Sequence, residues 1–168
     1  MTVLETERLC LRHMNLDDAQ FILTLLNEPS FLRYIGDKQV RDLEGARNYL
    51  LTGPIASYEK NGFGVNAIEL KESHTPIGIC GFLKRNELPD PDIGFALLPD
   101  FWGKGFAFEA AAALMKDERE RLNIQRVLAI TSLDNDASIN LLERLGFKFE
   151  KITKLASDRE SLRLFSWQ

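Results

Sequence analysis

The sequence predicts a mixed α/β fold built as a single domain over residues 1–168. Three observations lead to this class. Short apolar stretches with strand periodicity alternate with amphipathic helical stretches along the chain. A glycine-rich turn, Gly103-Lys104-Gly105, joins one apolar strand pattern directly to an alanine-rich helix. The length of 168 residues, 45% of them hydrophobic, fits one ordinary globular domain.

The first third of the chain predicts one strand followed by two helices. Residues 8–13 have a strand pattern. Asn15 is a suitable N-cap for a helix that reaches about residue 27, and Pro29 ends it. The apolar stripe of this helix consists of Phe21, Ile22, Leu25 and Leu26. A second helix is predicted from about residue 42 to 51, and Pro54 is expected to break or kink it before Tyr58.

The remaining elements complete the order β-α-α-β-β-β-α-β-α-β-β. Strand patterns cover residues 63–70, 76–83, 93–98, 126–131, 148–155 and 162–167. Helical patterns cover residues 106–122 and 137–145, and Gly146 is placed to end the second of them. Pro99 ends the strand that precedes the glycine-rich turn.

The composition of the chain excludes several functional classes. A net charge of −4 with a pI near 5.3 argues against nucleic acid as a partner. No apolar run approaches the roughly 18 residues of a membrane span, and no signal peptide is recognisable. Cys10 and Cys80 lie in apolar strand patterns without metal-binding spacing. We therefore expect a cytoplasmic protein with reduced, buried cysteines and no metal.

The turn over residues 100–110 indicates a phosphate site. Glycines in a strand-to-helix turn let backbone N–H groups point the same way, and the helix N-terminus adds its dipole. The turn lacks the Ser or Thr that follows the lysine of a P-loop, because Gly105 follows Lys104. It also lacks the third small residue of a dinucleotide fingerprint, where Phe108 stands. A turn that only reverses the chain is the alternative.

Three segments of the chain form a pattern when they are taken together. They are the opening ETERLCLR of residues 5–12, the run from Ile93 through FWGKGFAFEA, and the pattern N-x-x-S-x-x-L-x-x-x-x-G-F over residues 135–147. In this order and spacing they resemble the GNAT superfamily of N-acetyltransferases, and within it the branch of ribosomal-protein N-terminal acetyltransferases. The resemblance implies a mostly antiparallel sheet of about seven strands, splayed between the fourth and fifth, with about four flanking helices. It also implies acetyl-CoA as co-substrate, an amine acceptor and, as in many members of this branch, a possible homodimer.

The resemblance assigns the cofactor site. The family's pyrophosphate loop matches Trp102, Gly105 and Ala107, although many members carry Gln or Arg where Trp102 stands. A bulged fourth strand would offer backbone groups to the pantetheine arm, with a carbonyl-polarising N–H near Ala96 or Leu97. The implied cofactor-binding residues are Phe95, Ala96, Leu97, Leu98, Trp102, Gly103, Lys104, Gly105, Phe106, Ala107, Asn135 and Ser138. Packing for Trp102, solvation for Lys104 and helix capping for Asn135 remain open as plainer roles.

The catalytic groups are less defined. Many family members carry a tyrosine acid at the position of Leu142, so Ser138, one turn earlier, is the hypothesis for protonating the thiolate, against a plain helix residue. Asp92 and Glu69 are the candidate general bases, or solvated charges at strand ends. Tyr34, with Phe31 and Ile35, walls the acceptor cleft or packs in the core.

The lack of a clear base favours an amine that is neutral near pH 7.5, which fits a protein N-terminus better than a lysine side chain. The sequence thus predicts an acetyl-CoA-dependent N-acetyltransferase in which the amine attacks directly in a ternary complex. A small-molecule amine acyltransferase, a non-catalytic acyl-CoA-binding domain and, less well matched, an ATP- or NAD-binding protein are the alternatives.

Overall fold

The computed structural model describes residues 1–155 and 160–168, and it shows one eight-stranded sheet. The strand order is β1-β2-β3-β4-β5-β6-β8-β7, so strands from both ends of the chain belong to the same sheet. The strands are β1 (Thr2–Glu5), β2 (Leu9–Arg12), β3 (Val65–Leu70), β4 (Pro76–Leu83), β5 (Asp92–Leu97), β6 (Val127–Ser132), β7 (Lys148–Thr153) and β8 (Leu162–Trp167).

Seven α-helical segments flank the sheet in the described chain. They are α1 (Ala19–Leu26), α2 (Pro29–Tyr34), α3 (Leu43–Leu50), α4 (Ala56–Asn61), α5 (Phe106–Ala113), α6 (Arg119–Arg121) and α7 (Asp136–Arg144). A π-helical turn with Pro54 inside it joins α3 to α4, so the proline widens the helix instead of ending it. A second π-helical turn joins α5 to α6.

The sheet divides between β5 and β6. These two strands run parallel and pair through the single residue pair Asp92 and Leu128, whereas the other neighbouring strands form antiparallel ladders. Beyond that pair the two strands, both described in full, separate. The predicted mixed, mostly antiparallel and splayed sheet is confirmed.

The two faces of the sheet carry separate hydrophobic cores. On one face α5 and α7 pack against the odd-numbered side chains of β5 and β6, including Ile93 and Ala129. On the other face α1 to α3 pack over β3 and β4, and their core reaches Ala96 of β5 and Leu98, the residue after β5. A small leucine cluster around Leu128 continues that second face. The splay therefore opens between two helical layers.

Four details differ from the sequence-based expectation. The described part of the chain has seven α-helical segments where about four helices are expected, because π-helical turns separate α3 from α4 and α5 from α6, and α2 is an additional helix. The sheet has eight strands and not about seven, because β1 is a short edge strand with one buried residue, Leu4, and so has little hydrophobic periodicity. Pro29 begins α2 instead of merely ending α1, since proline is favoured in a first helical turn. The β4–β5 register shows no shift along its length, so the expected bulge is absent from that pairing.

Both cysteines are buried and free, at 8% and 0% exposure for Cys10 and Cys80. Burial raises the pKa of the Cys80 thiol to about 12, which leaves it protonated and unreactive. No helix in the described ranges has the length and apolar character needed to cross a membrane. Those same ranges contain no group of three or more potential metal ligands.

Candidate active site

The free edge of β5 is the first component of the site. Leu98 N–H donates to Ile77 C=O on β4, whereas Pro91 C=O accepts from Leu128 N–H on β6. Because backbone groups alternate in direction along a strand, the N–H groups of Phe95 and Leu97 point toward the splay. Ala96 points toward β4. Of the two positions expected to supply a polarising N–H, the geometry therefore places Leu97 at the splay and Ala96 away from it.

The glycine loop is the second component, and β5 leads directly into it. Gly103 and Gly105 have φ angles of 74° and 80°, a region that L-residues other than glycine seldom adopt. Gly105 is the N-cap of α5, and a side chain on Gly103 would meet no atom within 4 Å. The loop thus presents open backbone at a helix N-terminus, which suits a phosphate group.

Trp102 precedes the two glycines of the loop, and Lys104 lies between them. The indole Nε1–H of Trp102 donates to the backbone C=O of Leu97 at 3.0 Å, and Trp102 is 51% exposed. This bond ties the loop to the end of β5. Lys104 is exposed, and its ammonium lies 5.8 Å from the ring centroid of Phe101. The ammonium group of Lys104 therefore lies at the loop, and it forms no ion pair with the described residues.

A contact with the N-terminal segment supports the loop from outside, and sequence reasoning missed it. Arg8 donates through Nε to Glu109 Oε1 at 2.7 Å and stacks over the Phe106 ring at 4.3 Å. Glu109 Oε2 also accepts from Thr6 and from the Arg8 backbone N–H. These bonds join the ETERL segment to the first turn of α5. The ETERL segment is recognisable in the sequence, but its partner Glu109 is 101 residues away from Arg8, so the sequence does not indicate the contact.

The N-terminal turn of α7 is the third component. Asn135 is the N-cap, and its side-chain Oδ1 accepts from Ser138 N–H at 3.3 Å, which confirms the capping role. Ser138 and Leu142 are one turn apart and so share a helix face. Leu142 is 1% exposed in the core beneath α7. The half-buried Ser138 side chain is therefore on the sheet side of the helix.

Asp92 lies at the closed end of the splay. It has no exposed surface, and both of its carboxylate oxygens accept from Arg85 Nε at 3.1 Å. Burial raises the pKa of Asp92 to about 6, while the Arg85 cation opposes that rise. Glu69, the other candidate base, is on β3 and accepts a hydrogen bond from Arg12 Nε at 2.8 Å. Strand β4 lies between β3 and β5, so Glu69 is away from the splay. Asp92 is thus the carboxylate at the splay, although it is covered.

The raised pKa of Asp92 predicts a pH-dependent stability. Because the folded state holds this proton more tightly than the unfolded chain, the Asp92 contribution is greatest below about pH 4 and is lost as pH rises through about 6. Two pKa units correspond to roughly 3 kcal/mol. Urea unfolding at pH 4, 5, 6 and 7 should show the free-energy difference between wild type and Asp92→Asn falling by about that amount. A difference that stays flat with pH would mean that Arg85 keeps the carboxylate ionised throughout.

Helix α2 belongs to the helical layer on the other face of the sheet. Phe31 is 5% exposed and belongs to the core, whereas Ile35 is 43% exposed. Tyr34 is half-buried, with the Arg33 guanidinium 4.9 Å from its ring centroid. Arg33 in turn donates to Asp134, the residue before Asn135, at 3.2 Å. The segment that carries Tyr34 therefore adjoins the loop that leads into α7.

The arrangement fits a pantetheine-bearing cofactor. The edge of β5 offers N–H groups to an extended arm, the glycine loop offers open backbone to a pyrophosphate, and Ser138 stands on the opposite side of the gap. The chemistry available is that of binding and hydrogen bonding, with one buried carboxylate nearby. His13, the residue after β2, stacks on Tyr58, and His74 is in the β3–β4 loop, so neither is placed at the splay.

Comparison with known proteins agrees with this geometry. Residues 8–148 match the family model described as acetyltransferase (GNAT) domain. The chain is 34% identical, over 92% of its length and 86% of the relative's, to an uncharacterized N-acetyltransferase, p20, of Bacillus licheniformis. An acetyltransferase structure from Agrobacterium tumefaciens matches with a TM-score of 0.84 at 27% identity, covering 100% of this chain and 94% of that one.

A second similar structure is the ribosomal L7/L12 α-N-protein acetyltransferase RimL in complex with coenzyme A, which is joined to one of its cysteines by a disulfide. Its TM-score is 0.85 at 20% identity, with 99% of this chain and 97% of that chain covered, so it supports the fold. The splayed sheet, the glycine loop and these matches lead to one conclusion: the chain belongs to the GNAT acetyltransferase family and is an N-acetyltransferase.

Proposed function

We propose that the protein uses acetyl-CoA to acetylate primary amines, with protein N-terminal α-amines as its preferred acceptors. The single observation that carries the cofactor assignment is the separation of β5 from β6. It leaves the N–H groups of Phe95 and Leu97 at a free edge that leads straight into the positive-φ glycine loop. An extended arm bound along that edge would act as an added strand.

The cofactor would be held by residues from three elements. Backbone groups of the β5 segment from Phe95 to Leu98 would bind the pantetheine arm. Backbone N–H groups of residues 103–107 would bind the pyrophosphate, with Lys104 as counter-charge and Trp102 holding the loop to β5. Asn135 and Ser138 would contact the arm from α7.

The reaction needs few groups from the protein. Acetyl-CoA supplies the activated acyl group. An N–H at the free edge of β5, from Phe95 or Leu97, would polarise the carbonyl that the amine attacks. The Ser138 hydroxyl would donate a proton to the departing sulfur. Because Asp92 is covered and bonded to Arg85, it would take part as the proton acceptor only by way of a relay, and Tyr34 would line the acceptor side.

The covered position of Asp92 also bears on the acceptor. Because the described residues place no exposed strong base at the splay, the amine must lose its proton to solvent before it attacks. At pH 7.5 roughly a third of an α-amine with a pKa near 7.8 is neutral, against about 0.1% of a lysine side chain with a pKa near 10.4. An α-amine thus starts with an advantage of about 300-fold. The α-N-protein acetyltransferase RimL, a structural neighbour, acts on acceptors of this class.

The test compares two peptides of one sequence, each carrying a single reactive amine. One has a free N-terminus and no lysine, and the other has a blocked N-terminus and one lysine. With acetyl-CoA at pH 7.5, we expect thiol release at least 100-fold faster with the first peptide, and a lysine rate that rises steeply toward pH 9. Acetyl-CoA, but not ATP or NAD, should raise the melting temperature.

Any other result of these two measurements would contradict one part of the proposal. Faster reaction of the lysine peptide would contradict the α-amine preference. Release with small amines alone would identify a small-molecule acceptor. A melting shift without any thiol release would indicate a binding domain, and no shift with acetyl-CoA would contradict the cofactor itself. The protein is further proposed to act in the cytoplasm, where its two buried cysteines stay reduced.

A further inference from the structure

We propose that Thr131 is an additional cofactor-contacting residue, whose hydroxyl donates a hydrogen bond to the acyl-bearing end of the pantetheine arm. The inference rests on the proposed use of acetyl-CoA. Thr131 lies on β6, is 6% exposed, and its Oγ1 has no hydrogen-bond partner among the described residues. A buried hydroxyl without a partner lowers stability, and native structures seldom keep one that serves no purpose.

The side chain of Thr131 faces the cofactor side of the sheet. Side chains alternate along β6, with Val127 and Ala129 in the core beneath α5 and α7, and Leu128 in the leucine cluster of the opposite face. Thr131 continues the first set. It therefore shares with Ser138 the layer between α7 and the sheet.

Thr131 is also placed at the splay along the direction of the strand. The last β6 residue paired with β5 is Leu128, and Thr131 follows it where the two strands have separated. An arm inserted between these strands would pass the side chain of Thr131. The carbonyl oxygens of such an arm are the acceptors that the hydroxyl lacks in the protein, and the side chains that cover it would shift as the arm enters.

The other buried side-chain nitrogen and oxygen atoms without partners do not share these features. In the described chain they are Asn66 Oδ1 and Arg126 Nε. Asn66 still donates through Nδ2 to Cys80 C=O, on the far side of β5, and Arg126 pairs with Asp90 and Glu150. Thr131 is the residue of the three whose side chain makes no hydrogen bond in the described structure and borders the gap.

The first test replaces the hydroxyl by a methyl group of the same size. For Thr131→Val we expect the melting temperature of the free protein to rise by about 2–4 °C, because an unsatisfied group is removed. We expect acetyl-CoA affinity to fall about 5- to 10-fold, the loss of one hydrogen bond. Thr131→Ser should keep the affinity. A valine variant with lowered melting temperature and unchanged affinity would show a purely structural hydroxyl and overturn the proposal.

The second test is disulfide trapping in Thr131→Cys. The cysteine thiolate would attack the symmetrical disulfide of coenzyme A, forming a protein–CoA disulfide and releasing one CoA thiol. Mass spectrometry should show one added CoA in this variant, and excess acetyl-CoA should prevent it. The matched control is Thr153→Cys, a half-buried threonine at the far edge strand β7, beside the native chain as background for Cys10 and Cys80.

Equal labelling of the two variants, or no labelling of a Thr131→Cys protein that still binds CoA, would overturn the proposal. Wild-type protein that shows no melting shift with acetyl-CoA would instead refute the proposed function. The two failures are therefore distinguishable.

Discussion

Gly105→Asp is expected to abolish acetyl-CoA binding, with a loss of affinity of at least 100-fold. Gly105 is the N-cap of α5 at φ 80°, and its backbone belongs to the surface that would receive the pyrophosphate. An aspartate there adds a negative charge where the ligand's phosphates must approach, and a side chain in a strained conformation. The measurement is the melting shift with acetyl-CoA, about 5–10 °C for wild type at 100 times its dissociation constant and none for the variant.

The folded state should survive this substitution. A side chain at Gly105 would first meet Arg8 Nη2, at 3.4 Å from the added Cβ, so the carboxylate gains a cation as neighbour. The matched control is Gly62→Asp, because Gly62 has φ 79° with open space around it and ends α4, away from the loop. Both variants should lose about 1–2 kcal/mol of stability. Unchanged acetyl-CoA affinity in folded Gly105→Asp would refute the loop assignment.

Ser138→Ala is expected to lower turnover about 100-fold while acetyl-CoA affinity changes less than about threefold. The hydroxyl would act on the departing sulfur, so its loss raises the barrier without removing a large binding contact. The cap of α7 is preserved, because Ser138 takes part in it through its backbone N–H. Single-turnover rates and a binding titration on one preparation separate the two effects.

Asn135→Ala provides the complementary variant. It removes the capping oxygen of α7 and keeps the Ser138 hydroxyl, so about 1 kcal/mol of stability should be lost. Its turnover should exceed that of Ser138→Ala. Wild-type turnover in Ser138→Ala would mean that the thiolate leaves without this proton and that Ser138 is an ordinary helix residue.

Local signals explain why much of the fold was predictable. Asn15 caps the 3-10 turn Leu16–Asp18 that leads into α1, and Asn135 caps α7. These caps, the end of α7 at Gly146 and the β3–β4 hairpin depend on residues close together in the chain. Each agrees with its expected place. The wrong predictions also have local causes. Strand β1 is too short and exposed to show a strand pattern. Proline can follow the end of one helix and occupy the first turn of the next, so Pro29 alone does not distinguish the two cases.

The sequence by itself determined the fold family, the glycine loop and the candidate polar residues on α7, because motif spacing and glycine conformations are properties of contiguous segments. Only the tertiary structure decided which N–H groups of β5 face the splay, that Asp92 is sealed against Arg85, and that Thr131 is buried without a partner. These features depend on strands and loops that are distant in the chain and meet only after folding. The sequence gives the type of each residue. Its solvation, its hydrogen-bond partners and hence its chemistry depend on the residues that pack around it in the folded chain.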